Sequence, residues 1–311
     1  MTSPRFGAQL WSQATDWPGF RDAAVAAEDA GWDSVWTWDH VLAIFGPSEQ
    51  PILEGWLALS AVAAVTRRVR VGLMVGANTF RAPGLSAKLA TTLDQVSGGR
   101  AVLGIGGAWF EREHDAFGIP FGAGFGERLD RLDEAVALLR RLLDGERVSH
   151  EGRFYTLRDA VCAPRPLQAR LPILVGGSGR TKTLRTVALR ADGWNTSGHL
   201  DRVRDNVAVL HQHCDAVGRD PAEIEMTLSF PTVIRDRRAD AESAFAGLLA
   251  HNGTDSAGDV PLLLGPPREI AASIAPFLPL GFSTIIARLP APYDRETIDR
   301  IGEVAEALGD G

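Results

Sequence analysis

Lysine is almost missing from this chain: Lys88 and Lys182 are the only two, and the other basic residues are arginines. Arginine and lysine together number 32 against 39 acidic residues, a formal charge of −7. That balance excludes a dedicated DNA- or RNA-binding protein, whose phosphate footprint is basic. Cysteine is equally scarce, with only Cys162 and Cys214. Two thiols build neither a disulfide scaffold nor a cysteine zinc cluster. Long apolar runs are also missing, and the weakly polar stretch 56–66 is too short for lipid. The first residues lack a basic region followed by an apolar run, so the expectation is a cytoplasmic protein with no membrane partner. No G-K-[ST] loop, H-E-x-x-H helix or G-x-S-x-G elbow occurs, which removes the sequence support for a P-loop, a zincin or an α/β-hydrolase.

What is present is a rhythm. Short apolar strands are expected at 6–10, 34–39, 69–75, 101–105, 172–175, 193–196, 223–229 and 282–288. Between them lie helical patterns, the first opened by Trp17-Pro18 and ended by Gly31. Eight strand–helix units point to a closed (β/α)8 barrel of the α/β class, with an open doubly wound sheet as the competing arrangement. The rhythm breaks at 144–171, where short strands at 147–150 and 152–157 and the Pro164-Arg165-Pro166 run read as an insertion before strand five. The whole of 1–311 is expected to form one barrel domain carrying that insertion.

Ligands of such barrels bind at the carboxyl ends of the strands. Strand two ends in Trp36-Thr37-Trp38-Asp39-His40. An ordinary imidazole titrates near pH ~6.5, which suits His40 to proton exchange, and Asp39 can orient a neighbouring group. Strand three leads to Asn78-Thr79-Phe80, polar groups beside an aromatic that suit the edge of a heterocycle or an ordinary turn. Strand four carries Gly104, Gly106 and Gly107, where a ligand can approach the backbone or two strands can pack closely. Glu111, Glu113 and His114 follow without a metal-binding spacing, and no metal is expected. Strand five runs into Gly176-Gly177-Ser178-Gly179 and then a helix, an arrangement that holds phosphate on backbone amides. Trp11, Trp36, Trp38 and Trp109 lie near strand ends and suit the wall of an apolar pocket.

Five stretches carry a resemblance: Ala30–Trp36 with Asp39-His40; Leu93–Arg100 running into Leu103–Gly106; Trp109–His114 with Gly118-Ile119-Pro120; Pro172–Gly179; and Leu263–Pro267. Together they span nearly the whole chain, which resembles the bacterial luciferase-like superfamily of flavin and deazaflavin oxidoreductases. The resemblance implies a TIM barrel with FMN or coenzyme F420 at its mouth. It implies a bulge at Met74, Val75 and Gly76 against the ring, often with a non-proline cis peptide. Gly106 and Gly107 would lie near that ring, and Gly176, Gly177, Ser178 and Gly179 would take the phosphate.

The Asp39-His40 pair resembles that of F420-dependent sugar-phosphate dehydrogenases. Their pattern also places a catalytic glutamate after the strand-four glycines, where this chain has Ala108 or Trp109, so a sugar phosphate is disfavoured. The expectation is F420-dependent hydride transfer to or from a small organic substrate. His40 would move the proton, Asp39 and Asn78 would help hold the cofactor, and Trp11, Trp38 and Trp109 would face the substrate. The alternatives are an FMN-dependent monooxygenase served by a separate flavin reductase, and a cofactor-binding barrel without turnover. The resemblance also implies a homodimer through the helices at 53–65 and 85–96.

Overall fold

In the computed structural model, which describes residues 4–309, local sequence signals set the first unit. Strand β1 (Arg5–Leu10) leads to helix α1 (Trp17–Asp29), whose first turn carries Pro18 and whose N-terminus is capped by the Asp16 carboxylate accepting the Gly19 amide at 2.9 Å. A proline in the first turn costs no helical hydrogen bond, and the cap satisfies a free amide. The pattern repeats through β2 (Ser34–Thr37), α2 (Gly55–Val65), β3 (Arg70–Leu73) with the short β4 (Gly76–Ala77), α3 (Pro83–Ser97) and β5 (Ala101–Gly106). Then come α4 (Glu111–Phe117), α5 (Phe125–Leu143), the hairpin β6 (Val148–Glu151) and β7 (Thr156–Ala160), and β8 (Ile173–Gly176). The chain continues with α6 (Thr183–Arg190), β9 (Gly193–Thr196), α7 (Leu200–Val217), β10 (Glu225–Ile234), α8 (Arg238–His251) and β11 (Leu263–Gly265). It closes with α9 (Pro267–Ile274), β12 (Phe282–Leu289), α10 (Arg295–Asp299) and α11 (Ile301–Gly309).

Every pairing in the ring is parallel. It runs β1, β2, β3 with β4, β5, β8, β9, β10 and β12, and β12 returns to β1 with Gly7 opposite Ile286 and Gln9 opposite Arg288. This is the closed eight-position barrel expected from the sequence, not the open sheet. The antiparallel hairpin β6–β7 stands where the insertion was expected, before the fifth barrel position. Its second strand starts later than anticipated, because Glu134 of α5 accepts the Phe154 and Tyr155 amides and holds those residues in the turn.

Three further elements differ from expectation. Helix α4 and strand β11 were not anticipated, being only seven and three residues long. Helix α9 passes into a 3-10 turn through Leu280, since Pro276 and Pro279 cannot donate within an α-helix. Strand β10 runs beyond the expected 223–229, through Pro231 to Ile234 beside β11.

The main core lies between barrel and helices. A second cluster fills the lower barrel: Trp36, Val102, Leu174 and Ile286 from β2, β5, β8 and β12 meet in the lumen, with Met74 above. The Trp36 indole nitrogen donates to Ser34 Oγ at 2.8 Å, so burying the indole leaves no orphan donor. Beneath this plug remains a space of only about 10 Å³. Glu225 closes the bottom by accepting from Arg5, Arg70 and Thr284, and despite its burial those arginines hold its carboxyl below the usual range. Side chains two residues further along each strand point the same way, one layer up. That layer is the floor of the site. Both cysteines are buried and unpaired, and no described helix is long and apolar enough to cross a membrane.

Candidate active site

Above the plug, the carboxyl ends of the strands enclose a cavity of about 680 Å³. That is the size of a site for a cofactor or a drug-sized ligand. Trp11, Trp38, Asp39, His40, Met74, Val75, Gly76, Gly106, Gly107, Trp109 and Gly176–Gly179 all border it. Trp36 does not, because it forms the plug. Asn78 does not border it either: it is buried and donates to the Tyr155 hydroxyl at 3.0 Å, tying the hairpin to the barrel. The cofactor contact expected of Asn78 is replaced by this internal bond.

His40 follows β2 directly. Its Nδ1 lies 2.9 Å from Oε1 of Glu113, whose Oε2 accepts the Val41 amide at 3.0 Å. A carboxylate against Nδ1 fixes the proton there and leaves Nε2 as the working nitrogen, for which the described residues offer no partner. Trp38, Trp109 and Phe110 stand edge-on to the ring at 5.5–6.0 Å and hold its plane. Glu113 was not identified as this partner from the sequence. It arrives on the unanticipated helix α4, buried together with His114, and the sequence offered only its place in the Glu111, Glu113, His114 group after strand four.

Asp39 is buried and spends both oxygens on protein donors. Oδ2 accepts the Ala77 amide at 2.9 Å and Arg81 Nη1 at 2.6 Å, and Oδ1 accepts Arg81 Nη2 at 3.0 Å. Burial pushes its carboxyl up while Arg81 and the Ala77 amide pull the other way. The residue therefore positions β4 rather than offering a free base. His114 is also internal: Nδ1 donates to the Phe110 carbonyl, and Nε2 meets Thr79 Oγ1 at 2.6 Å. Glu113 and His114 thus have separate partners, and no group of three His, Cys, Asp or Glu side chains suited to a metal occurs among the described residues.

The Met74–Val75 peptide is cis, and Val75 projects between β5 and β8. A methyl carbon on Gly106 would come within 2.7 Å of Val75 Cγ2, and one on Gly176 within 2.8 Å of Cγ1. A methyl on Gly107 would meet Leu129 at 2.8 Å. These glycines make room for neighbouring side chains, the close-packing alternative raised above. The loop 177–179 behaves differently. Gly177 has φ +127°, favouring glycine, and its carbonyl accepts from the Trp194 indole at 2.7 Å. The Ser178 and Gly179 amides have no backbone acceptor among the described residues, and Arg202 reaches Ser178 Oγ at 3.3 Å. Unspent amides, a hydroxyl and a guanidinium at the start of α6 make a cradle for an anion.

The aromatic wall is better built than the sequence showed. Trp11 stacks on Phe45 with centroids 4.9 Å apart and tilts against Trp38 at the same distance. Phe45 arrives on the loop after β2, fixed by the buried Gln13, which accepts the Ile44 amide and donates to the Phe45 carbonyl.

Comparison with known proteins agrees with this architecture. Residues 1–282 match the luciferase-like monooxygenase family. An F420-dependent glucose-6-phosphate dehydrogenase of Nakamurella multipartita is 31% identical, over 97% of this chain and 96% of its own. An uncharacterised protein of Mycobacterium bovis is 33% identical, but the match spans 54% of this chain and only 58% of that one. Among solved structures, an F420-dependent secondary alcohol dehydrogenase in complex with an F420–acetone adduct superimposes with a TM-score of 0.84 at 19% identity, covering 99% of both chains. With its barrel closed and its sequence matched over most of its length, the chain belongs to the luciferase-like monooxygenase family.

Proposed function

We propose that this protein is an F420-dependent oxidoreductase acting on a small organic substrate. The observation that carries this reading is His40, held by a buried glutamate at the wall of a cavity large enough for a ring cofactor. The nearly end-to-end similarity to an F420-dependent dehydrogenase supports it. The residues fit such a cofactor: the cradle at Gly177–Gly179 would take its phosphate, and Val75 and Gly76 would back its ring. Hydride exchange at the ring is the chemistry that the bound cofactor supplies.

The chain supplies the rest. His40 Nε2 takes a proton from the substrate, or returns it in the reverse direction. Glu113 keeps Nδ1 protonated and balances the charge that forms on the ring, and the wall of Trp11, Trp38 and Trp109 orients the substrate and excludes water. Anaerobic titration with reduced F420 and separately with FMN tests the reading. Micromolar F420 binding is expected. Tight FMN binding with no F420 binding would overturn it in favour of an FMN monooxygenase served by a reductase. A folded barrel that binds neither would favour a protein without turnover.

The reading extends to a homodimer through α2 and α3. Leu57 and Leu85 on these helices are 74% and 52% exposed, an apolar surface that a second copy would cover. Light scattering should give twice the chain mass, and Leu57→Glu should shift it toward the monomer. A monomeric wild type would refute this arrangement.

A further inference from the structure

Two arginines border the cavity without a carboxylate partner among the described residues: Arg202, exposed beside Ser178, and Arg288, on the barrel strand that forms its floor. Arg288 lies near the end of β12, two residues beyond the plug residue Ile286, so its side chain points into the lumen one layer higher and borders the cavity. Among the described residues, none offers it a carboxylate within 4 Å; its hydrogen bonds go to Ser229 Oγ of β10, from Nε at 3.2 Å and Nη2 at 2.9 Å. A guanidinium has five N–H donors in a planar fork. Ser229 engages the Nε side and leaves the edge formed by Nη1 and the second Nη2 hydrogen. Burial pulls this arginine down to about 10, still charged at neutral pH. Arg81, in contrast, is paired with both Asp39 and Glu54. A desolvated cation with a free donor edge inside an apolar cavity is costly unless a ligand completes it.

The neighbours narrow the ligand. Gln9, opposite Arg288 on β1, donates to the Met74 carbonyl at 3.0 Å, and its Oε1 is buried without a partner. The floor therefore presents a planar pair of cationic donors beside one acceptor. Trp11, Trp38 and Phe45 add an apolar wall to the same cavity. A carboxylate matches the fork with two parallel hydrogen bonds.

We propose that Arg288 is the specificity-determining residue for a substrate carboxylate, so that the substrate is a small acid with an apolar or aromatic body lying against Trp11 and Trp38. This deepens the proposed function and rests on it for the word substrate; the anion site itself stands on Arg288. The same fork could instead be met by acceptor oxygens of the ring cofactor, and the test separates the two sources.

The F420-loaded protein is titrated calorimetrically with phenylacetate and with its neutral analogue phenylacetamide. Phenylacetate should bind about ten- to a hundredfold more tightly, the range expected of a charge-assisted hydrogen-bonded pair. Arg288→Gln should abolish that preference while F420 affinity stays within about twofold, and Arg288→Lys, which keeps the charge but not the fork, should retain part of it. Melting curves of both variants check folding. Equal binding of acid and amide, no binding of either, or a variant that loses F420 affinity instead would overturn the proposal. If F420 does not bind, the titration is run on the FMN-loaded or unloaded protein, so the cofactor reading fails separately from the carboxylate site.

Discussion

His40→Ala is expected to lower turnover about 10²- to 10⁴-fold on any substrate the wild-type protein accepts, the usual weight of a positioned acid–base group. Cofactor affinity should change little, because the ring contacts expected at Val75 and the anion cradle lie on other strands. Added imidazole should restore part of the activity, since the cavity left by the side chain opens to a space of about 680 Å³. Glu113 acts through His40, and its replacement separates positioning from packing. Glu113→Gln keeps the volume but removes the charge that faces Nδ1 at 2.9 Å. It should reduce kcat roughly ten- to a hundredfold with KM nearly unchanged, and Glu113→Asp should recover part of the loss. Full activity in His40→Ala at saturating cofactor would remove the histidine from the mechanism.

The second large effect is on folding. Gly104 sits in β5 where the backbone of β3 turns away, and a methyl carbon there would lie 1.8 Å from the Leu73 carbonyl oxygen. The obstruction is backbone, so no side-chain rotation relieves it. Gly104→Ala should cost about 3 kcal/mol or more, at the upper end of overpacking penalties, and lower both the melting temperature and the soluble yield. Gly302 on α11 is the control: nothing lies within 4 Å of an added methyl, and Gly302→Ala should stabilise by up to about 1 kcal/mol. Equal melting temperatures for the two variants would contradict the packing described for β3 and β5.

The contrast explains what the sequence could show. The barrel was legible because each strand is a short apolar run and each helix has its own start and stop, as Asp16 and Pro18 illustrate. Position at a strand end then led to His40 and the loop 176–179. Partnership was not legible. Glu113 meets His40 across 73 residues of sequence, and helix α4, which brings it there, has seven residues. Nor does a glycine announce what occupies its missing side chain: at Gly106 and Gly176 it is Val75, while the 177–179 loop keeps amides free. Asn78 and Asp39 were placed correctly in the fold, but their polar atoms turn to Tyr155 and Arg81. Arg288 did carry a sequence signal that went unread, a charge inside the apolar run Ile285–Leu289. A charge at an inward position of a barrel strand is a stronger pointer to a ligand than another polar residue in a loop.

The plug of Trp36, Val102, Leu174 and Ile286 has a kinetic meaning. It turns the barrel into a cul-de-sac whose lower space cannot pass even a small molecule. Two ligands that use the cavity must then enter and leave by the same side of the barrel. The direction of all traffic is thereby set by the layer beneath the site rather than by the groups that do the chemistry.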